Sequence, residues 1–211
     1  MSMDQQRRIS RIENGVEIPG TWLNAFIHNG KYFLTEIRIY KDSKIDCWGL
    51  VGLEEFKSKL KSGWVVTSLP EGAETSVSFL VKFIATDVMA FISEDEFYKE
   101  VVDEIAALNS QPTSSDLCRL AFKEFQEAKT EVTRAKLKAA YESIPEHNRR
   151  YVLQDMDVKD IPIRMIIYGE DEIENWSHRM ASKHLGLKPL PTIKVDGALK
   201  RRKPWWKFWG K

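Results

Sequence analysis

A polar segment broken by proline divides this chain into two parts of different character: Asn109-Ser110-Gln111-Pro112-Thr113-Ser114-Ser115. Before it, aromatic and β-branched runs are separated by Gly and Asn, which is typical of strands joined by turns. After it, apolar residues recur at helical spacing. The sequence therefore predicts an α+β fold with a small antiparallel β-rich N-terminal unit, a helical C-terminal unit and a mobile basic/aromatic tail.

The same changes of character set the predicted boundaries. The first residues are polar, and the last residues follow the final segment that could belong to a packed core. The predicted parts are a flexible N-terminus at 1–11, an α+β unit at 12–109, a linker at 110–115, a helical unit at 116–190, and a linker with a basic tryptophan-rich tail at 191–211.

Strand signals are strongest between residues 21 and 40. The runs Trp22–Ile27 and Lys31–Tyr40 flank His28-Asn29-Gly30. Asn-Gly between such runs predicts a type I′ hairpin, because both central residues of that turn need positive φ. Further strands are predicted through Ile45 and Trp48, at Trp64–Thr67 and, with a bend, at Ser76–Phe91.

Helices are predicted from apolar spacing and from capping residues. A short helix ending at Gly63 is indicated by Leu53, Phe56 and Leu60. Ser93 and Glu96 are typical of a capping box, which begins a helix that runs to about Leu108. The helical unit is predicted to contain Asp116–Lys129, Glu131–Ser143, Glu146–Gln154, Lys159–Tyr168 and Asp171–Leu185.

The last twelve residues, 200–211, have the composition of a separate binding peptide. Six are basic, four are aromatic and none is acidic. Large aromatics beside Lys and Arg suit an anionic membrane surface, a groove on a partner protein or single-stranded nucleic acid. Packing of the tail on its own body is a further option. The predicted contact residues are Lys200, Arg201, Arg202, Lys203, Trp205, Trp206, Lys207, Phe208 and Trp209.

The charge distribution restricts the partners and the compartment. Without the six cations of the tail, 26 basic residues remain against 31 acidic ones, a net charge of −5 on residues 1–199. A body of this sign is a poor phosphate-binding surface, which disfavours nucleic acid as a partner. The sequence has no apolar leader and no run long enough to span a membrane. We therefore expect a cytoplasmic protein, with the inner face of the membrane as a place where the tail can bind.

Histidines and carboxylates form no predicted metal or catalytic set. Glu174 and His178 lie one helical turn apart, but no third ligand has the right spacing. His184 falls on the apolar stripe of its helix, which predicts a buried structural histidine. His28, at a hairpin tip, and His147, at a helix start, are expected at the surface. No metal ligand and no catalytic residue is therefore predicted.

The two cysteines, Cys47 and Cys118, are predicted to be buried free thiols, because they lie in unrelated segments and form no Cys-x-x-Cys pair. Strand alternation places Asp46 and Cys47 on opposite faces, which argues against a thiol nucleophile. Asp155 or Asp157 is predicted to cap a helix, since the glycine and glutamate of a calcium loop are missing. The sequence contains no glycine-rich phosphate loop or nucleophile elbow, so no cofactor is predicted.

Two stretches of the sequence carry a family resemblance. The first runs through Ile45-Asp46-Cys47-Trp48-Gly49-Leu50-Val51 and Leu53-Glu54-Glu55-Phe56 to Ser62-Gly63-Trp64-Val65-Val66. The second runs from Pro145-Glu146-His147 through Tyr151, with Asp155-Met156-Asp157 after it. Both resemble an uncharacterised bacterial protein family with no assigned activity, so the resemblance implies no functional residues. The tail separately resembles tryptophan-rich, arginine-rich membrane-active peptides.

Together these features predict an intracellular, non-enzymatic binding or regulatory protein whose tail docks on an anionic membrane surface or a partner protein. One alternative is an immunity or conflict-system protein that occludes a partner, by analogy with other small acidic α+β proteins. Another is an enzyme whose site no motif identifies. A concave pocket with convergent ionisable groups would favour the enzyme, and a shallow apolar patch would favour the binding protein.

Overall fold

The computed structural model describes residues 8–78, 80–155, 158–170, 172, 177–187 and 194–199. The described residues form two compact units, one within residues 8–113 together with 145–147 and the other within residues 114–144 and 148–199. We call them the N-terminal unit and the C-terminal unit. The predicted α+β class is confirmed, because a mainly antiparallel sheet is followed by helices.

Eight strands form the sheet of the N-terminal unit: β1 (Ile9–Glu13), β2 (Val16–Asn29), β3 (Lys31–Tyr40), β4 (Lys44–Asp46), β5 (Leu50–Gly52), β6 (Val65–Val66), β7 (Glu74–Val77) and β8 (Val81–Ile84). The main order is β1-β2-β3-β4-β5, and β6 also pairs with β2. β7 pairs with β3 in parallel and with β8 antiparallel. The long strand β3 therefore has two different partners, β4 and β7, along one of its edges.

The β2–β3 hairpin lies where the sequence predicts it, but its turn differs. The pairing ends with Asn29 opposite Lys31, which leaves Gly30 alone at the centre. Gly30 has a φ of +70°, whereas Asn29 is not in the positive-φ region. The predicted type I′ turn, which needs positive φ at both positions, is therefore wrong at this site.

A turn of that kind occurs at the other Asn-Gly pair, which joins β1 to β2. Asn14 has a φ of +52° and Gly15 a φ of +78°, and the two strands pair directly on either side of them. β1 begins at Ile9, so residues 9–11 belong to the sheet rather than to a flexible N-terminus. The sheet begins earlier than the sequence analysis expected because this hairpin binds the first strand.

β7 and β8 replace the single bent strand predicted at Ser76–Phe91. Ser78 has a left-handed φ of +49°, and the backbone N–H of Leu80 donates to Val77 O across the turn (3.0 Å). The chain reverses there although neither Gly nor Pro marks the position. Over residues 85–92 the structure contains no strand.

Two helices, α1 (Leu53–Lys61) and α2 (Glu94–Leu108), pack against the sheet and form the core of the N-terminal unit with it. Both lie where the sequence predicts them. Ser93 Oγ accepts the backbone N–H of Glu96 (3.3 Å), and Gly63 follows α1 with a φ of +74°. The core residues are Leu23, Ala25, Ile27, Ile37, Ile39, Ile45, Cys47, Val51, Phe56, Leu60, Val65, Phe97 and Val101.

Five helices follow α2 in the described residues: α3 (Ser114–Ala128), α4 (Glu131–Ser143), α5 (Glu146–Arg149), α6 (Ile161–Ile167) and α7 (Ser177–His184). α3, α4 and α6 agree closely with the sequence. α5 is shorter than predicted, because residues 150–153 form turns. α7 is described from Ser177 to His184, within the predicted helix Asp171–Leu185, and residues 171 and 173–176 of that prediction lie outside the described residues.

The core of the C-terminal unit is closed by polar contacts as well as apolar packing. The buried Tyr141 Oη donates to Asp160 Oδ2 (2.5 Å), and Arg134 Nη1 donates to Gly197 O (3.1 Å). Residues 194–199 therefore pack on this unit, although the sequence analysis assigned them to a linker. The apolar core contains Cys118, Ala121, Phe125, Leu137, Tyr141, Ile144, Val152, Ile163, Ile166 and Ile167.

Candidate binding surfaces of the N-terminal unit

The sheet of the N-terminal unit has a second face, opposite the one that joins the core with α1 and α2, and we call it the outer face. Strand alternation places Trp22 and Arg38 towards one end of it, His28 and Tyr32 towards the other, and Asn24, Phe26, Leu34 and Glu36 between them. Asn24 is paired with Glu36, and Phe26 with Leu34. Asn24, Glu36 and Arg38 are exposed, and Phe26 and Leu34 are partly buried. We call the region of Asn24, Glu36 and Arg38 the polar end of the outer face and the region of Phe26 and Leu34 its apolar end.

A cleft of about 520 Å³ lies at the polar end, and we call it the Trp48 cleft. Arg38 Nε lies 3.7 Å from Glu36 Oε2, and Arg38 is paired in register with Asp46 of β4. Along this edge β4 pairs with residues 38–39 of β3, and β7 pairs with residues 32–34. The cleft lies where β3 changes partner, and it is lined by Asn24, Leu34, Thr35, Glu36, Arg38, Asp46, Trp48, Val77 and Ser78.

Trp48 lines this cleft from a strained turn. Its φ is +65°, in the left-handed region that a bulky side chain rarely adopts at a cost of about 1–2 kcal/mol. The backbone N–H of Gly49 donates to Asp46 Oδ1 (3.1 Å), which holds the turn. Trp48 is 50% exposed, and its ring centroid lies 5.1 Å from that of Phe33 and 6.5 Å from that of Trp64. The turn therefore presents an aromatic ring to solvent in a fixed position.

A second cleft, of about 380 Å³, occupies the apolar end of the outer face, and we call it the apolar groove. Its lining includes Phe26 and Leu34 of the sheet and residues 88–92 after β8, and it also reaches Ala25 and Phe97 of the core. Phe91 is 87% exposed in this segment. Asn24 and Leu34 line both the groove and the Trp48 cleft, so the two clefts adjoin.

β8 is an edge strand that is exposed at each of its four residues, Val81, Lys82, Phe83 and Ile84. In the described part of the sheet it pairs with β7 alone, and Leu80 before it is 86% exposed. An exposed apolar edge is a template for pairing with another strand, and a central Lys limits such pairing. A third cleft, of about 350 Å³, lies beside this edge and is lined by Lys31, Phe33, Glu74, Thr75, Ser76, Lys82, Phe83 and Ile84.

The two cysteines are buried free thiols, as predicted. Cys47 is 1% exposed and Cys118 0% exposed. Burial raises the pKa of each thiol to about 11, so both are protonated at neutral pH. A protonated, buried thiol is a poor nucleophile, and neither cysteine forms a reactive site.

None of the three histidines whose side chains the structure describes, His28, His147 and His184, lines one of the clefts. His28 is exposed, as expected, and His147 Nε2 lies 3.3 Å from a carboxylate oxygen of Glu100. His184 is exposed, so the predicted buried histidine is wrong. Met180, which shares its apolar stripe, is 57% exposed, so the described part of α7 leaves the stripe in contact with solvent.

Asp155 accepts the backbone N–H of Val158 (2.8 Å), and it therefore caps the turn before α6. Asp157 and Glu174 lie outside the described residues, as does the side chain of His178. Among the residues that the structure describes, no group of three or more His, Cys, Asp or Glu could hold a metal ion. In the same part of the chain, no helix is long and apolar enough to cross a membrane.

The residues predicted to contact a membrane or a partner all lie outside the described residues: Lys200, Arg201, Arg202, Lys203, Trp205, Trp206, Lys207, Phe208 and Trp209. The surfaces of the N-terminal unit were not anticipated. The sequence predicts Trp48 in a short strand and residues 80–91 in one bent strand, with no binding role for either. The signal that could have indicated them is the number of large apolar residues in 80–91, which exceeds what a strand with one buried face requires.

Two family models match the chain, and their boundary falls within the predicted linker. Residues 8–112 match a domain of unknown function (DUF7638), and residues 113–186 match a second domain of unknown function (DUF7639). No curated protein and no solved structure matches the chain. The clefts and β8 lie within the first of these domains. The chain therefore carries two adjacent domains of unknown function, which is consistent with the resemblance to an uncharacterised family.

Proposed function

We propose that this is a non-enzymatic binding protein whose N-terminal unit adds an extended strand of a protein partner to the open edge of β8. The observation that carries the proposal is the exposure of all four β8 residues, three of which are apolar. In strand addition the main chain supplies hydrogen bonds, and pockets for alternate side chains supply specificity. The cleft beside β8, which Phe83 and Ile84 line, is a pocket of that kind.

Lys82 and Ile84 carry the backbone groups that strand addition needs. The backbone N–H of Ala85 donates to Ala73 O (2.9 Å), so Ala85 faces β7. Successive residues of a strand direct their N–H and C=O groups to opposite edges. Ile84 and Lys82 therefore direct theirs away from β7, whereas Phe83 faces it. The open edge therefore offers the backbone N–H and C=O groups of two residues to an incoming strand.

Lys82 determines which strand fits this edge. A second copy of β8 would bring another Lys82 and no carboxylate, so self-pairing is disfavoured. The nearby carboxylate of Glu74 is already paired with Lys31. A partner strand with one acidic residue opposite Lys82 and apolar residues on either side compensates the charge. The proposed partner segment is therefore apolar and extended, with a central carboxylate.

The enzyme alternative receives less support from the ionisable groups. The pKa is raised at Cys47, Cys118, Tyr141 and Tyr168, and burial is the largest cause at each of them. The pKa of Tyr168, for example, rises to about 12. None of these four residues lines one of the three clefts described above. Catalytic sites typically bring shifted pKa values into a cleft, whereas an exposed apolar surface is typical of binding.

The tail gives the proposed protein a second contact, with an anionic membrane surface. Each Lys or Arg near an anionic leaflet contributes about 1 kcal/mol, and tryptophan prefers the interface between lipid and water. Residues 200–211 contain six basic residues and four aromatic ones. Their composition supports reversible attachment of the partner-binding unit to a membrane, with a groove on a partner protein as the competing target.

Strand addition is tested with a capped, fluorescein-labelled peptide of alternating valine and threonine with one central glutamate. We expect its fluorescence anisotropy to rise when it is titrated with the full chain. Ile84→Pro removes an outward N–H and should weaken binding about tenfold or more, since proline blocks pairing at an open edge. Ile12→Pro, at a 79% exposed position on the other edge strand β1, is the matched control and should bind normally. Equal affinities of both variants, or no binding by the unmodified chain, would overturn the proposal.

Membrane attachment is tested separately, with vesicles of neutral and of anionic lipid at low ionic strength. We expect a blue shift of tryptophan fluorescence with anionic vesicles for the full chain and none for a chain that ends at residue 199. Replacing Lys200, Arg201, Arg202 and Lys203 with alanine should weaken binding by a few kcal/mol, at about 1 kcal/mol each. No shift with either lipid would favour a protein groove as the target of the tail.

A further inference from the structure

We propose that the Trp48 cleft is a binding site for a neutral saccharide. Its volume of about 520 Å³ lies within the usual range of small-molecule sites. The proposal does not depend on β8, because the cleft lies where β3 passes from β4 to β7. Three features of the cleft support it: the balance of donors and acceptors, the exposed ring of Trp48, and the open edge of β3.

The side chains of the cleft both donate and accept hydrogen bonds. Arg38 donates, Glu36 and Asp46 accept, and Asn24 and Ser78 do both. A saccharide hydroxyl also donates and accepts, so a mixed set of this kind can satisfy neighbouring hydroxyls at once. A site for a simple ion would instead present one sign only.

The charges in the cleft disfavour an anionic ligand. Arg38 lies between two carboxylates, with Glu36 at 3.7 Å and Asp46 opposite it in register. The three side chains carry a net charge of −1, which repels a phosphate or a carboxylate. The net charge attracts an organic cation from a distance, but the guanidinium at the centre of this set repels it at close range. A neutral, polar ligand is repelled neither by the net negative charge nor by the guanidinium.

Trp48 supplies the apolar surface that a sugar ring needs. One side of a pyranose presents C–H groups, and these pack on the face of an aromatic ring. Trp48 is half exposed and is held against Phe33 and Trp64. Trp64 Nε1 in turn donates to Cys47 O (3.2 Å), which fixes the backbone of the same turn. A strained residue that exposes its ring in a braced position is typical of a ligand contact.

The edge of β3 adds backbone groups to the cleft. Residues 35–37 lie between the part that pairs with β4 and the part that pairs with β7. Because successive residues direct their N–H and C=O groups to opposite edges, at least one of these three residues directs them towards the cleft. A backbone donor and acceptor pair at this position is available to a hydroxyl or to an acetamido group.

The test is a titration of the full chain, followed by backbone amide NMR, with three neutral trisaccharides. They are built of β-1,4-linked glucose, α-1,4-linked glucose and β-1,4-linked N-acetylglucosamine. We expect at least one of them to bind with a dissociation constant at or below about 1 mM and to shift the amide signals of Glu36, Asp46 and Trp48. Choline and inorganic phosphate serve as the cationic and anionic probes.

Variants separate a saccharide site from a general change in the fold. Trp48→Ala should weaken binding about tenfold, and Trp48→Phe, which keeps a ring, should weaken it less. Tyr151→Ala is the matched control, because Tyr151 is 49% exposed and lies in the C-terminal unit. Binding that survives Trp48→Ala, tighter binding of choline or phosphate than of any trisaccharide, or no shift at about 10 mM saccharide would overturn the proposal.

Discussion

The β2–β3 hairpin presents an inner face that belongs to the core and an outer face that carries exposed charged residues. On the inner face, Ile27, Ile37 and Ile39 are 0% exposed and belong to the core. On the outer face, the side chains of Glu36 and Arg38 are 46% and 50% exposed and line the Trp48 cleft. Residues one position apart therefore serve stability and recognition respectively, and their substitutions should separate in the same way.

The largest expected effect comes from the core side of this comparison. Phe56 of α1 is 0% exposed, and its ring centroid lies 6.4 Å from that of Phe97. Phe56→Ala leaves a cavity, so we expect the free energy of unfolding to fall by about 3–5 kcal/mol in urea denaturation. Phe91→Ala, at an 87% exposed position, is the matched control and should change it by less than about 0.5 kcal/mol. Similar losses for both variants would contradict the assignment of Phe56 to the core and of Phe91 to the surface.

A second test uses neighbours that lie on opposite sides, Cys47 in the core and Trp48 in the cleft. Burial raises the pKa of the Cys47 thiol from 9.0 to about 11, so between these values the folded state retains a proton that the unfolded state has lost. The contribution of this thiol to the free energy of unfolding is therefore fully present below about pH 9, and it falls by about 2 kcal/mol as the pH rises to about 11. Denaturation over this range should show a smaller fall for Cys47→Ala. The remaining fall is expected from Cys118 and, above about pH 10, from Tyr141 and Tyr168, because burial raises the pKa of each of these groups as well. An unchanged slope in the variant would mean that the thiol is not buried in solution.

The parts of the fold that follow from the sequence are those that local contacts determine. Ser93 caps α2 as predicted, and α4 matches its predicted bounds, Glu131–Ser143. The hairpin position also follows from its Asn-Gly, but the turn type does not. The register of β2 and β3 determines that turn, and it depends on partners far along the chain. The β7–β8 reversal at Ser78 could not be predicted either, because no Gly or Pro marks it.

The candidate surfaces were less predictable than the fold, since they depend on what the sheet leaves uncovered. Alternation correctly placed Cys47 in the core, but the exposure of Trp48 arises from a left-handed turn that periodicity cannot show. The prediction that His184 is buried was wrong for a different reason. Apolar spacing indicates which residues share a side of a helix, and it does not show whether another element covers that side.

The strain at Trp48 allows a smaller and more specific test. A Gly accepts a φ of +65° without steric cost, whereas Ala does not. Both Trp48→Gly and Trp48→Ala remove the ring, so both lose its packing on Phe33 and Trp64. We expect the Gly variant to be more stable than the Ala variant by about 1 kcal/mol in urea denaturation, the reverse of the usual order of these residues. A more stable Ala variant would show that the turn relaxes in solution and that the ring is not held in place.

The smallest expected effect is at the open edge of β8. Ile84 directs its backbone N–H away from β7, so Ile84→Pro removes no described hydrogen bond, and edge strands accept proline at such positions. We expect its free energy of unfolding to stay within about 0.5 kcal/mol of the unmodified chain. Phe83 directs its N–H towards β7, and Phe83→Pro should therefore lower the free energy of unfolding by about 1 kcal/mol or more. Thermal and urea denaturation of both variants measure the difference. If Ile84→Pro were the more damaging change, the edge proposed to receive a partner strand would already be in use within the chain, and a third strand could not pair there.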